Sequence, residues 1–183
     1  MKRKLSVRPT SPAISVADAK DRLAIAFGDD DLLLASYIAA ATDYAEQYTG
    51  RAVMAQTWKY YFDSFSCSLL IYETDISSIA VKYYDENNAL QTLSPSAYYV
   101  DSVSYPARIT PALSFPSTIM SGPNSVIVEV VTGHADAKDV PACMIAAIAL
   151  IAGHLYNNRE STSDVELHEI PMGAKALMDM YKI

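Results

Sequence analysis

The chain has 183 residues, 51% of them hydrophobic and 19% charged. That composition suits one domain, or one domain with an insertion, and excludes a wholly disordered chain. The formal charge of −7 is uneven: Lys2, Arg3, Lys4 and Arg8 precede the first acid, Asp18, and without those four the remainder carries 10 cations against 21 acids, a net of −11. Such a body lacks the clustered Lys and Arg that grip duplex DNA, although DNA can slide past it.

Pro9 and Pro12 punctuate the basic start, and residues 1–13 read as a flexible basic arm. Ser15 with Asp18 marks a helix start that runs to about Ala26 before Gly28. Asp29, Asp30 and Asp31 are adjacent rather than alternate, so they read as acids at the next helix N-terminus, not as a calcium loop. Leu34, Tyr37, Ile38, Ala41, Tyr44, Ala45 and Tyr48 form one apolar stripe at helical spacing, closed by Gly50.

The period then changes to two. Trp58, Tyr60 and Phe62 alternate with polar neighbours over 57–63, residues 69–72 make a short strand, and Ile79, Val81 and Tyr83 make another. Asp85-Glu86-Asn87-Asn88 predicts a hairpin turn, residues 98–101 continue the sheet, and Val126, Val128 and Val130 supply the last strand. Residues 103–124 contain Pro106, Pro111, Pro116, Gly122 and Pro123 and read mainly as loop. A third helix follows, with Asp139 as cap and Pro141 in its first turn, and it runs to about Tyr156. Residues 157–170 are polar and acidic, and a short amphipathic segment carries Ala176, Leu177, Met180 and Tyr181. The fold class is α+β: a small helical bundle (14–52 and 139–183) with a β-rich insertion (53–138) between the second and third helices.

No chemistry emerges. His134, His154 and His168 lack a second His or a Cys at ligand spacing, so no metal site is expected. His154 reads as a hydrogen-bonded core residue, His134 as a surface loop residue, and His168 as a group whose neighbouring carboxylates would favour its charged form. Cys67 and Cys143 read as buried free thiols. There is no nucleophile elbow and no phosphate-cradling loop, and no cofactor or enzymatic activity is expected. The apolar run 140–156 is short for a bilayer and reads as a buried helix. The basic start leads into no apolar stretch of a secretory signal, so the cytoplasm is the expected location before any assembly.

Several segments, in order, carry a family likeness: Tyr48-Thr49-Gly50-Arg51, Gln56-Thr57-Trp58, Leu155-Tyr156-Asn157-Asn158-Arg159-Glu160, and Ile170-Pro171-Met172-Gly173 with Leu177. Over residues 14–183 the chain resembles the head–tail connector, or head-completion adaptor, family of long-tailed phages and prophages. Phe115-Pro116 stands where relatives often have Trp-Pro, and Glu73-Thr74-Asp75-Ile76 where they often have a proline-rich lead. The resemblance implies a structural subunit of a ring, commonly twelve-fold, at the head–tail junction of a virion. It also implies a portal protein on one side and a tail-proximal completion protein on the other, with DNA passing through without sequence-specific binding.

Arg51 and Arg159 then have two readings, contact with a neighbouring subunit or pairing with an acid of the same chain. Leu177 and Tyr181 are candidates for portal docking. Glu160, Asp164, Glu166 and Glu169 cluster in one polar stretch and are candidates for lining the channel, the alternative being an outward solvated face. From a different class, the tyrosines, 13 against four phenylalanines, suit a soluble adaptor that holds a protein partner on its sheet. A third reading is a nucleic-acid binder acting through the basic start alone.

Overall fold

The computed structural model describes residues 2–26, 28–158 and 172–183. The described residues fall into two compact units, each assembled from separated stretches: residues 1–9 with 55–133, and residues 10–54 with 134–183.

The first unit is β-rich. β1 (Lys2–Val7), β2 (Gln56–Phe62), β4 (Ile76–Tyr84), β5 (Leu90–Thr92) and β8 (Val126–Thr132) form an antiparallel sheet in the order β1-β2-β8-β4-β5. β3 (Leu69–Ile71), β6 (Tyr98–Asp101) and β7 (Ala107–Pro111) form a second sheet in the order β3-β7-β6. Strand alternation selects the core: Tyr60, Val81, Val126, Val128 and Val130 from the larger sheet, and Leu69, Ile71 and Ile109 from the smaller, are all buried. Asp85 accepts from the backbone N–H groups of Asn87 and Ala89, each at 2.9 Å, and Asn88 takes positive φ, which closes the expected β4–β5 hairpin.

Two expectations fail here, the free arm and the buried cysteines. Residues 2–7 are not a free arm: β1 pairs with β2 from Lys2↔Tyr61 to Val7↔Thr57. Basic, exposed strands are poorly visible in sequence because an edge strand has little apolar alternation. The stretch 103–124 is mainly loop, as expected, and also contains β7, whose Ala107 and Ile109 point inward while Pro111 ends the strand. Cys67 is exposed, between β2 and β3, and Cys143 is half-buried, so neither is the fully buried thiol expected.

On the opposite face of β8, Glu129 accepts from Lys59 at 3.0 Å and from Lys82 at 2.7 Å, one cation from each neighbouring strand. The Lys82 hydrogen bond, opposed by partial burial and aided by Lys59, holds the Glu129 carboxyl below its ordinary 4.5. A depressed carboxylate contributes stability above its unfolded value, and that contribution is lost as pH falls through the folded value. Glu129→Gln should therefore cost up to about 1 kcal/mol at neutral pH. Melting curves of the two proteins should converge once the pH drops well below 4.5; a gap that persists in acid would show that charge is not the cause.

The second unit is helical. Ser15 Oγ accepts from Asp18 N and starts α1 (Val16–Leu23), which ends at Ala24 in the left-handed conformation, earlier than Ala26. α2 (Asp31–Thr49) begins at the acidic run and ends at Gly50, with φ of 73°. α3 (Ala142–Asn157) starts one residue after Pro141; Asp139 ends a short 3₁₀ turn instead of capping α3. α4 (Met172–Asp179) is the short final helix. Leu34, Ile38, Ala41 and Ala45 of α2 meet Met144, Ala147, Ile148 and Ile151 of α3 and Ala174 and Met178 of α4 in one core. Alanines at these helix contacts bring the backbones close. The observed class is the expected α+β one, with four packed helices and the sheets, apart from β1, between α2 and α3. No helix among the described residues is long and apolar enough to cross a membrane.

Candidate interface surfaces

The end of α2 holds the C-terminal segment. Gly50 turns the chain so that Arg51 Nε donates to the Tyr181 carbonyl oxygen at 2.7 Å. Ile183 N donates to the Thr49 carbonyl oxygen at 3.1 Å, and Tyr48 Oη donates to Asp179 at 2.6 Å. The Asp179 bond raises the Tyr48 hydroxyl above its ordinary value, and the Lys182 ammonium lies 4.7 Å from the Tyr48 ring centroid. Leu177 and Tyr181 are half-buried against the helical core. Three of the sequence candidates, Arg51, Leu177 and Tyr181, thus belong to one locality, and Arg51 engages a backbone carbonyl of its own chain. Sequence reasoning had no signal for that bond, because its ends are 130 residues apart. Met172 and Met180 flank the locality at 87% and 73% exposure. The remaining candidates, Arg159, Glu160, Asp164, Glu166 and Glu169, lie outside the described residues, as does His168.

A second cluster, which sequence reading missed, sits on the larger sheet. Glu73 is only 4% exposed, and its Oε1 accepts from Tyr60 Oη at 2.8 Å and from Arg3 Nη1 at 2.6 Å. The Arg3 guanidinium also lies 4.6 Å from the Trp58 ring centroid. Burial first, and the Glu73 charge second, push the Tyr60 hydroxyl far above its ordinary value, so it remains a donor. Thr132 Oγ1 donates to the Thr74 carbonyl next door.

Exposed apolar side chains also flank the smaller sheet. Val103, just after β6, and Leu113, just after β7, are 97% and 98% exposed, and Tyr99 and Tyr105 are exposed as well. Arg108 donates to Asp101 at 2.8 Å across the β6–β7 pair, and that bond, with two from Ser104, holds the Asp101 carboxyl at about 2. The tyrosine surplus divides accordingly: Tyr60 serves the core, while Tyr72, Tyr99 and Tyr105 face outward.

Chemistry is not what these places offer. Among the described residues no three His, Cys, Asp or Glu side chains converge as metal ligands. His134 and His154 are both half-buried; the His154 ring lies 3.3 Å from Asn158 Nδ2 near the end of α3, not in the core. What the residues build is a set of polar latches and exposed apolar side chains, the material of protein–protein contacts.

Comparison with known proteins agrees. No curated protein sequence matches the chain. Among solved structures, it matches a chain of "Neck of empty GTA particle computed with C6 symmetry" at TM-score 0.81 and 18% identity, covering 100% of this chain and 95% of that one. It matches a chain of "Virion of native gene transfer agent (GTA) particle" at 0.80 and 18%, and one of "Neck of native GTA particle computed with C12 symmetry" at 0.78 and 17%, with the same coverage. The model of the phage gp6-like head-tail connector protein family matches residues 13–105, half of the chain. The chain therefore belongs to the phage gp6-like head–tail connector family and is a structural, non-enzymatic component of a virion's head–tail junction.

Proposed function

We propose that the protein acts as one subunit of a closed ring, seated between a portal protein and a tail-proximal completion protein and enclosing the path of packaged DNA. The observation that carries this is the whole-chain fold likeness to neck proteins whose structures were computed with six-fold and twelve-fold symmetry. A ring subunit needs two different surfaces for its two neighbours, and head-to-tail contacts close when the rotation permits. Arg51 and Arg159 are proposed at subunit contacts, and Leu177 and Tyr181 at portal docking. Glu160, Asp164, Glu166 and Glu169 are proposed to face the channel, where acids repel DNA and keep its exit free of counterion-release binding.

Mass measurement of the protein mixed with portal tests the reading: a discrete cyclic complex is expected. A mixture that stays at the subunit's own mass at every concentration would sink it. The acids give a second handle. Repulsion around a ring axis is screened over about 8 Å at physiological salt, so ring formation should improve with moderate salt. Replacing the four acids by Gln or Asn should remove that dependence and let rings retain linear DNA; unchanged behaviour would place these acids elsewhere.

A further inference from the structure

The Arg3 contact is a plug in a socket, and the two parts come from distant stretches of the chain. The socket is built wholly within residues 55–133: the Glu73 carboxylate, the Tyr60 hydroxyl that orients it, and the Trp58 ring. The plug is β1, which precedes the whole helical unit. β1 contributes little to the core, since Leu5 is its one half-buried residue and the rest are exposed. Its attachment therefore rests on backbone pairing with β2 and on Arg3. From Ser6 to Pro12 the chain is exposed, and Arg8 to Ser15, with prolines at 9 and 12, has no helix or strand.

We propose that β1 is an exchangeable strand: in the assembled ring it pairs with β2 of a neighbouring copy, and its Arg3 enters that copy's Glu73 socket. This rests on the ring reading above. An exchanged strand makes the same hydrogen bonds and ion pair as a retained one, so exchange between identical copies has a small net free energy. Charge complementarity selects the occupant. A nearly buried carboxylate held beside β2 by Tyr60 calls for a guanidinium on an extended segment, and β1 of each copy offers Lys2, Arg3 and Lys4 in that form. Arg108 of the smaller sheet is engaged by Asp101.

Mixing two full-length single-cysteine variants tests this. Both carry Cys67→Ser and Cys143→Ala; one adds Lys4→Cys and the other Lys59→Cys. Lys4 and Lys59 are direct strand partners. Directly paired strand positions lie about 4.5–5.5 Å apart, within disulfide range. Lys82 keeps Glu129 paired when Lys59 is replaced. In the mixture this disulfide can form only between chains. The expected result, under assembly conditions with portal, is a cross-linked heterodimer on a denaturing gel. Adding Arg3→Ala to the Lys4→Cys chain should cut its yield about tenfold, the worth of one charge-assisted bond in competition with the acceptor's own β1. The proposal is overturned if rings form and the double variant, Lys4→Cys with Lys59→Cys, cross-links only within single chains while the mixture gives no heterodimer. Heterodimers without rings would instead retain the exchange and remove the ring.

Discussion

Removing residues 172–183 is expected to unfold the helical unit and not merely to trim a docking tail. α4 fills the core with Ala174 and Met178, both fully buried, and Leu177 and Tyr181 pack beside them. Truncating Met178 alone to Ala should cost about 2–5 kcal/mol. Losing the segment also removes the bonds from Tyr48 to Asp179, from Arg51 to the Tyr181 carbonyl and from Ile183 to the Thr49 carbonyl. The combined loss rivals the roughly 5–15 kcal/mol that holds an ordinary domain folded. Hydrogen exchange should show protection vanishing from α2 and α3 in the shortened protein. Retained protection there would mean that α4 is an accessory and that the core closes without it. By contrast, Met172→Ser and Met180→Ser alter exposed side chains and should shift stability by less than about 0.5 kcal/mol. Portal binding should therefore be probed with those variants, because a truncated chain would fail to bind for want of a folded platform.

Ile109→Ala should destabilise the β-rich unit by about 2–5 kcal/mol, the range for a large buried aliphatic side chain. Ile109 is fully buried and pairs with Leu69 on one side and Val100 on the other, so the smaller sheet has no other residue to fill the space. Leu113→Ala, four residues away and 98% exposed, should change stability by less than about 0.5 kcal/mol. Urea titration of both variants decides the matter. Similar midpoints for the two would show that the β7 region is as loose as its prolines suggest. The pair also matters for function, since the exposed Leu113 side chain can be removed from an interface without loss of fold.

Some of this was legible in the sequence because it is local. Helical spacing from Leu34 to Tyr48 and the stop at Gly50 define α2, and Ser15 with Asp18 defines the start of α1. Alternation at Trp58, Tyr60 and Phe62 and at Val126, Val128 and Val130 defines β2 and β8. The ordered short motifs were enough for the family and its structural role. Tertiary structure decided what local pattern does not encode. β1 is a strand only because β2 presents an open edge and Glu73 binds Arg3; alone, a basic exposed hexapeptide has no apolar face to bury. β7 is a strand despite its flanking prolines because β3 and β6 pair with it on both sides. Arg51 meets Tyr181, and Glu73 is buried, through contacts spanning 130 and 70 residues, which the sequence around either end cannot reveal. Periodicity reports how each segment divides apolar from polar. Which polar group meets which is settled only when segments pack, because a buried charge tolerates no vacancy beside it and its partner can come from anywhere in the chain.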